Sequence, residues 1–554
     1  MIYSQKELAQ LVIEYCVTYE VEHVVISPGS RNAPLTIGFT NHSKVKTFSI
    51  VDERSAAFFG LGMAQQTKKP VALVCTSGSA LLNYYPAVAE AFYSDIPLII
   101  ISADRPKHLI DIGDGQTIRQ ENIFHNHCLF NANLIEGEVH QSDNSRLIET
   151  ALRTAILKKG PVHINVPFDE PLYETTAELS IEKCIRQDSL EELDEKYDIN
   201  EIANIWSGSK KKMIIVGSNY PDELLQRQLS EIVDDESVLI LTETTSNVTH
   251  DRFINNIDKL IFTLSDVEFD KLRPDALITL GGMVVSKKIK QFLRTFQPQY
   301  HWHIDNKREL DTYHCLTEHI KKSPTVFFNE FLKLINGVKS SYQIDWLEKF
   351  AARNQRHDEF LKIVEFSDLK AFDILLKSLP DKIHLQLGNS SVIRYSQLFN
   401  IKIDLSIFCN RGTSGIDGST STAIGAAFKS KKQTVFISGD ISFFYDSNAL
   451  WNNYIKSDFR IIVINNGGGG IFKILPGPAS TNAIDYFETK HQLTAELLCE
   501  MYHLDYLKAT NENELRDMLD TFYDTSKMPK LLEVFTPNTI NDKALKNYFK
   551  YLEV

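Results

Sequence analysis

Short apolar runs that stop at glycine, serine, aspartate or asparagine punctuate the chain, and between them apolar residues recur at helical spacing. HVVISPG, KTFSIV, PVALVCTSG, IPLIIISAD and PVHINVP follow this rule up to about residue 180, with DERSAAFFGLGMAQQ and SALLNYYPAVAEAFYS as the helical stretches. Runs that are apolar at nearly every position, rather than alternately, suit strands covered on both faces. The alternation predicts parallel sheets with helices on either side and functional loops at the carboxyl edge. It recurs twice more: first in KKMIIVGSN, SVLILTETTSN and DALITLGG, then in KIHLQLGNSS, LSIFCNRGTSGIDG, QTVFISGD, FRIIVINNGGGG and KLLEVFTP. SIEKCIRQDSLEELDEKYDIN (180–200) is acidic and poor in strand signal, and reads as a linker; about 320 to 365 reads as charged helix. The expected fold class is α/β, with three doubly wound, mostly parallel-sheet domains over residues 1–182, 190–340 and 355–554. At the start of the chain, Ser4 and Glu7 have the spacing of a capping box ahead of an amphipathic helix.

Composition narrows the class. A chain of 554 residues exceeds one hydrophobic core. Its net charge of −13 argues against a general binder of nucleic acid or anionic membrane, so any local cluster of basic residues needs its own explanation. The seven cysteines are scattered, with no C-x-x-C, which suggests reduced thiols in a cytoplasmic protein. No apolar run reaches the roughly 18 residues that span a bilayer, and the N-terminus lacks a signal-peptide pattern.

Two strand ends in the third unit belong together. TVFISGD ends at Gly439-Asp440, and IIVINN ends at Asn465-Asn466, just before Gly467 to Gly470. The segment between them, ISFFYDSNALWNNYIKSDF, fits one helix, which makes a β-α-β unit with both strand ends on one sheet edge. Asp440 and Asn466 then offer hard oxygen donors suited to Mg²⁺, and the glycines let the backbone approach a diphosphate. Singly, Gly-Asp is a common strand end and Asn-Asn-Gly a common turn; their pairing across about 25 residues is what points to metal chemistry. No Gly-Lys-Ser/Thr follows the glycines, and the order G-x-G-x-x-G is not met.

With this spacing, Gly439-Asp440 and Asn465-Asn466 resemble the diphosphate-binding signature of thiamine-diphosphate (ThDP) enzymes. The resemblance implies that Asp440, Asn466 and the Gly468 carbonyl bind Mg²⁺ or Mn²⁺; Ile441 stands where the signature usually has glycine. It implies that Glu53, in SIVDERSAAFFGLGMAQ, hydrogen-bonds the aminopyrimidine ring, although by position alone Glu53 is also a helix-start glutamate favoured by the macrodipole. Ile416 would hold the cofactor bent, or equally be a core contact. SPGSRNAPL, SADRP, GNSSVIR, NRGTSGIDG and the metal signature together resemble one branch of the family across essentially the whole chain. That branch joins 2-oxoglutarate to isochorismate: decarboxylation yields a succinyl semialdehyde carbanion, which adds to isochorismate in a 1,4-addition. The resemblance places Ser390, Arg394 and Arg411 on the 2-oxoglutarate carboxylate. It places Ser30, Arg31, Arg105, Lys287 and Lys288 toward isochorismate, and Gln116 near the reacting centre. Ile471, Phe472 and Leu475 would wall the thiazolium. The family often has Lys-Arg where this chain has Lys287-Lys288, a point charge in place of a planar fork. The branch also implies a homodimer, or a tetramer of two dimers. The alternatives are another ThDP-dependent 2-oxoacid decarboxylase or carboligase, such as an acetolactate-type synthase, and a scaffold that has lost catalysis.

Overall fold

The computed structural model describes residues 2–182, 184–186, 197–402, 404–474, 477 and 480–553; most of the expected linker, and Leu475, lie outside the described residues. Three six-stranded sheets, each paired in parallel throughout, carry the chain. In the first, the strands His23–Ile26, Lys46–Ser49, Val71–Cys75, Leu98–Asp104, Phe130–Asn133 and Val162–Pro167 lie in the order second, first, third, fourth, sixth, fifth. The third sheet repeats that order with His384–Leu387, Ser406–Cys409, Thr434–Gly439, Arg460–Asn465, Asp505–Ala509 and Lys530–Phe535. The middle sheet, from Lys212–Val216 to Glu318–Ile320, runs third, second, first, fourth, fifth, sixth. In each sheet the chain runs outward in both directions from the first strand, and in the third sheet the loops on either side of that switch point part around a cavity.

The central strands, such as Val71–Cys75 and Arg460–Asn465, are buried at every position, as their unbroken apolar runs require. The pairing Gly439↔Ile464 sets Asp440 beside Asn465 at one edge. Two local expectations fail. The segment after Asp440 is not one helix: it is helical over Asp440–Tyr445, 3₁₀ over Ser447–Leu450, and turns thereafter. Asp446 breaks it by turning inward, where its carboxylate accepts from Ser421 N at 2.8 Å and Ser421 Oγ at 3.0 Å. The Ser4 capping box does not form, because Ser4 pairs with Thr175 in a short antiparallel bridge and the helix begins at Glu7.

The first and third domains share one apolar core, in which Phe48, Phe58 and Phe59 pack with Ala423, Ile424 and Phe443. At its centre the helix Glu53–Thr67 lies against the helix Ser419–Lys429 with backbones touching. A Cβ on Gly62 would sit 2.1 Å from Thr422 O, and one on Gly425 would sit 2.0 Å from Phe59 O. The middle domain attaches to the first through Arg308 Nε, 3.1 Å from Asp95 Oδ2. It attaches to the third through Asn247, which exchanges two hydrogen bonds with the Ile407 backbone. No described helix is long and apolar enough to cross a membrane.

Gly62→Ala should therefore lower stability by more than about 2 kcal/mol, because main chain cannot move aside as a side chain does. Gly439→Ala, whose Cβ would meet no protein atom within 4 Å, should leave stability within about 0.5 kcal/mol of the parent. Urea unfolding midpoints measure both.

Candidate active site

A cavity of about 230 Å³ opens at the third sheet's switch point and is lined by Asn389, Ser390, Ile416, Asp440, Asn466 and Phe472, among others. Its described lining runs from Asp368 to Thr489 and includes Ile441 and Gly468. Asp440 starts a helix; its Oδ1 accepts from Ile441 N at 2.7 Å and its Oδ2 from Gly468 N at 3.0 Å. His491 Nε2 lies 3.2 Å from the same carboxylate, which raises the imidazole pKa. Asn466 is oriented by Asp368: Asn466 Nδ2 donates to Asp368 Oδ2 at 3.0 Å, and Thr536 Oγ1 donates to Asp368 Oδ1 at 2.5 Å. Burial pushes Asp368 up to about 6, so it is an acceptor at neutral pH and fixes which side of the Asn466 amide faces it. That leaves Asn466 Oδ1 buried with no hydrogen-bond partner. An orphaned carboxamide oxygen near a carboxylate is a donor set for a hard divalent cation.

The glycine run has two conformational reasons. Gly467 has φ of 73°, and a Cβ on Gly468 would stand 2.5 Å from Glu488 O. Gly439 has neither: its Cβ would project into open space on the cavity side, where a bound diphosphate would need the clearance. Ser390 is held at φ of 67° on the cavity wall, a conformation that serine adopts at a cost. Phe472 packs on Phe487 with ring centres 5.2 Å apart and planes tilted by 47°; Ile471 begins the same short helix, with its side chain outside the described residues.

Beside the cavity lie cations. Arg411 Nη1 donates to Asn389 Oδ1 at 2.8 Å, while its Nε is buried without a partner. Arg394 sits on the helix Ser391–Ser396; burial and then Arg411 hold its pKa below the usual guanidinium value. Lys287 and Lys288 open the helix Lys287–Thr295 of the middle domain, with Lys288 Nζ 5.4 Å from the Phe269 ring centre. Lysines at a helix start oppose the macrodipole; Lys288 is offset by the Phe269 ring and the nearby Asp258 charge.

The remaining candidates gather on the carboxyl edge of the first sheet. Glu53 heads its helix behind the Asp52 cap, half-buried, and burial pushes its pKa above the usual carboxylate range. Arg31 is buried, with Nη1 donating to Phe168 O at 2.8 Å and Nη2 3.1 Å from Glu170; Ser30 beside it is exposed. Arg105 ties down the loop that bears Gln116, through Gly115 O at 2.9 Å and Asp114 at 3.4 Å. Among the described residues, none of this group lines the Asp440 cavity.

Sequence reasoning missed Glu90. This buried carboxylate of the first domain accepts from Gly412 N at 2.8 Å, Thr413 N at 2.7 Å and Thr413 Oγ1 at 2.8 Å, and so fastens the loop that carries Arg411. A lone glutamate in the apolar helix YPAVAEAFY gives no signal, because apart from Ser94 Oγ, which donates to it at 2.7 Å, its partners lie more than 300 residues away.

The chain matches the family described as "Thiamine pyrophosphate enzyme, N-terminal TPP binding domain" over residues 6–128. It matches "Middle domain of thiamine pyrophosphate" over 191–387 and "Thiamine pyrophosphate enzyme, C-terminal TPP binding domain" over 388–534. Among curated relatives, proteins of Flavobacterium psychrophilum and Flavobacterium johnsoniae are 55% and 54% identical, with all of both chains covered. One from Desulfotalea psychrophila is 38% identical over 95% of this chain and 98% of its own. All three are named 2-succinyl-5-enolpyruvyl-6-hydroxy-3-cyclohexene-1-carboxylate synthase.

Removing the Glu90 carboxylate leaves the Gly412 and Thr413 amides without an acceptor, at about 1–3 kcal/mol each. Glu90→Ala should lower the urea midpoint and speed hydrogen exchange at those two amides, with Glu90→Gln intermediate.

Proposed function

The chain belongs to the thiamine pyrophosphate enzyme family, and from that premise we propose that it decarboxylates 2-oxoglutarate and adds the resulting succinyl semialdehyde unit to isochorismate. The product of this 1,4-addition is 2-succinyl-5-enolpyruvyl-6-hydroxy-3-cyclohexene-1-carboxylate, released with CO₂ as a step of menaquinone biosynthesis. The observation that carries this reading is the set of cations beside the Asp440 cavity. Arg411 stands near enough to Arg394 to add to the burial that lowers the Arg394 pKa, and lysines occupy a helix start that disfavours them. A small apolar 2-oxo acid gives them no role; two substrates bearing carboxylates do. Relatives that align end to end carry the name of this activity. An acetolactate-type synthase often holds a flavin in its middle domain. Here Gly282 N donates to Ser218 O at 2.7 Å, and a Cβ on Gly217 would lie 2.0 Å from Gly282 O, so the chain's own backbone fills the middle switch point.

Thiamine diphosphate, when bound, supplies the carbon nucleophile and the electron sink that loss of CO₂ requires. The chain supplies the rest. Asp440, Asn466 Oδ1 and the Gly468 carbonyl would hold Mg²⁺ or Mn²⁺, which would neutralise diphosphate charge, a fit that the unpartnered Asn466 oxygen supports. Ile416 and Ile441 bound the cofactor's position. Glu53, kept from full solvation, holds a proton at the aminopyrimidine. Ser390, Arg394 and Arg411 orient 2-oxoglutarate. Ser30, Arg31, Arg105, Lys287 and Lys288 orient isochorismate, with Gln116 beside the reacting carbon. Phe472 excludes water from the apolar side; Leu475 and the Ile471 side chain, which the resemblance assigns to the same wall, lie outside the described residues. Because Glu53 and the Asp440 cavity lie apart within one chain, we assign each complete site to two copies: a homodimer, or a tetramer of two dimers. The cysteines, all unpaired, suit a cytoplasmic location.

The test is incubation with thiamine diphosphate, Mg²⁺ and 2-oxoglutarate, with and without isochorismate, followed by product mass. A product equal to isochorismate plus the succinyl semialdehyde unit is expected; consumption of 2-oxoglutarate indifferent to isochorismate refutes the acceptor. Glu53→Gln should keep cofactor affinity within about threefold and lower turnover by at least about 100-fold, the upper part of what a general acid–base group contributes being exceeded only if its other roles are lost too. Chelation by EDTA should release the cofactor, and added Mg²⁺ or Mn²⁺ should restore binding.

A further inference from the structure

A buried carboxylate that the scheme above leaves unused sits where the middle and third domains meet. Glu243 follows the strand Val238–Thr242 and is 3% exposed. Its side chain accepts from Val285 N at 2.6 Å and Ser286 N at 2.7 Å. Ser286 in turn caps the helix Lys287–Thr295, its Oγ accepting from Ile289 N at 3.1 Å, and its hydroxyl donates to half-buried Asp258. The start of the lysine helix is therefore fastened through Glu243 and not only through its own cap.

The same segment crosses to the third domain. Thr244 N donates to Gln397 Oε1 at 3.2 Å, and Thr244 Oγ1 donates to Ser396 O at 3.2 Å. Asn256 Nδ2 donates to Gln397 O at 3.1 Å and Phe399 O at 2.9 Å. Ser396 ends the helix that carries Arg394, and Ile407, bound by Asn247, lies in the strand that runs on to Arg411. Glu243 is thus the point at which the lysine helix and the two arginines acquire a common frame.

The charges agree with that placement. Lys290, in the first turn of the lysine helix, is half-buried, and Glu243, Arg411 and Arg394 are among the charges that act on it. Arg394 and Lys288 act likewise on Asp258. Glu243 and Asp258 are outnumbered by Lys288, Lys290, Arg394 and Arg411, which leaves positive charge for an incoming carboxylate. Burial pushes Glu243 up to about 7, against the two amides and Arg411, which favour its ionised form.

We propose that Glu243 is a positioning residue for substrate recognition: it holds the start of the lysine helix in register with Arg394 and Arg411, and Lys290 is a further member of the carboxylate-recognition set. The proposal rests on the activity assigned above. Its test compares Glu243→Gln and Lys290→Met with the parent, each as the full chain loaded with thiamine diphosphate and Mg²⁺. Glu243→Gln keeps the shape, removes the charge and turns a donor toward one of the two amides. It should raise the KM for 2-oxoglutarate about tenfold, the scale of one lost charge-assisted hydrogen bond, while kcat stays within about threefold. Hydrogen exchange at Val285 and Ser286 should quicken, cofactor affinity should hold, and Glu243→Asp should recover part of the KM. Lys290→Met, which leaves the clamp in place, should raise the KM about fivefold without altering that exchange. An unchanged KM in Lys290→Met overturns the recognition role even if Glu243→Gln does not fold. An unchanged KM in Glu243→Gln with faster exchange reduces Glu243 to a structural clamp and overturns its positioning role. A parent chain that makes no isochorismate-dependent product refutes the activity itself, a result read before either variant is compared.

Discussion

The contact between the backbones of the helices Glu53–Thr67 and Ser419–Lys429 is the constraint from which the site's geometry follows. The first helix begins at Glu53, and the second begins just after the loop that carries Arg411 and Ile416. Gly62 and Gly425 leave no side chain between the two main chains, so rotamer changes cannot alter their separation. Gly412 extends the same restriction, since a Cβ there would lie 2.7 Å from Glu90 O. The polar bonds around the interface then need only set orientation: Arg54 to Tyr445 O, Asn448 to Asp52 and Ser49 N to the Tyr454 hydroxyl, each at 2.7–2.8 Å. The first and third domains behave as one rigid support, with the proposed acid and the proposed arginine loop as fixed points on it.

That support explains which parts of the architecture could be read in advance. Central parallel strands announce themselves because both faces are buried, and every run quoted from the three units is a strand in the structure. Strands that carry polar residues are harder to read: the edge strands Lys46–Ser49 and Ser406–Cys409 were legible, but the inner strand Tyr300–Ile304, with two histidines, was not. Phe130–Asn133 and Asp505–Ala509 are only partly buried and mix polar with apolar positions, and neither was anticipated. The segment after Asp440 misled because its apolar spacing is helical, whereas the decisive residue, Asp446, acts through Ser421 of another element. The Asp440–Asn466 pairing was legible because strand ends converge by topology alone, and the cavity does bring both to its wall. Asp368, Glu90 and Glu243 were not, since a single carboxylate in an apolar run has no local mark and each finds its partners far along the chain.

These hidden carboxylates share a physical role. Glu90, Glu243, Asp368, Asp446 and Glu533 are each nearly or fully buried, and each accepts two or more hydrogen bonds that fasten a loop or turn. Glu533 takes Asn465 Nδ2 at 2.7 Å, and Asn465 Oδ1 in turn accepts from Gly467 N at 3.1 Å, which sets the turn that presents Asn466. Burying a carboxylate is unfavourable unless it is well bonded, and the price appears as the raised pKa values of Glu243, Asp368 and Asp446. In return each gives strong acceptors to backbone amides that would otherwise be orphaned. Part of the chain's acidity is thus withdrawn into its scaffolding. A protein of net charge −13 can in this way present cations at the proposed site for anions.

The three sheets divide that work unequally. The outer two share a strand order that the middle one lacks, so the chain is two related units around a different third. Their switch points have diverged. In the first sheet a Cβ on Gly29 would lie 2.2 Å from Thr76 Cβ, so the switch point itself is closed by contact and a cavity of about 370 Å³ opens to its side, against Pro28, Thr36 and Tyr173; in the third, the loops after Leu387 and Gly439 part around the cavity at the switch point. The first domain's candidate residues therefore stand on an edge that does not open onto the cavity of the third. The proposed pairing of two chains would bring such an edge to that cavity. The middle switch point is filled by backbone, so the part proposed for that domain falls to one helix and the carboxylate that holds it.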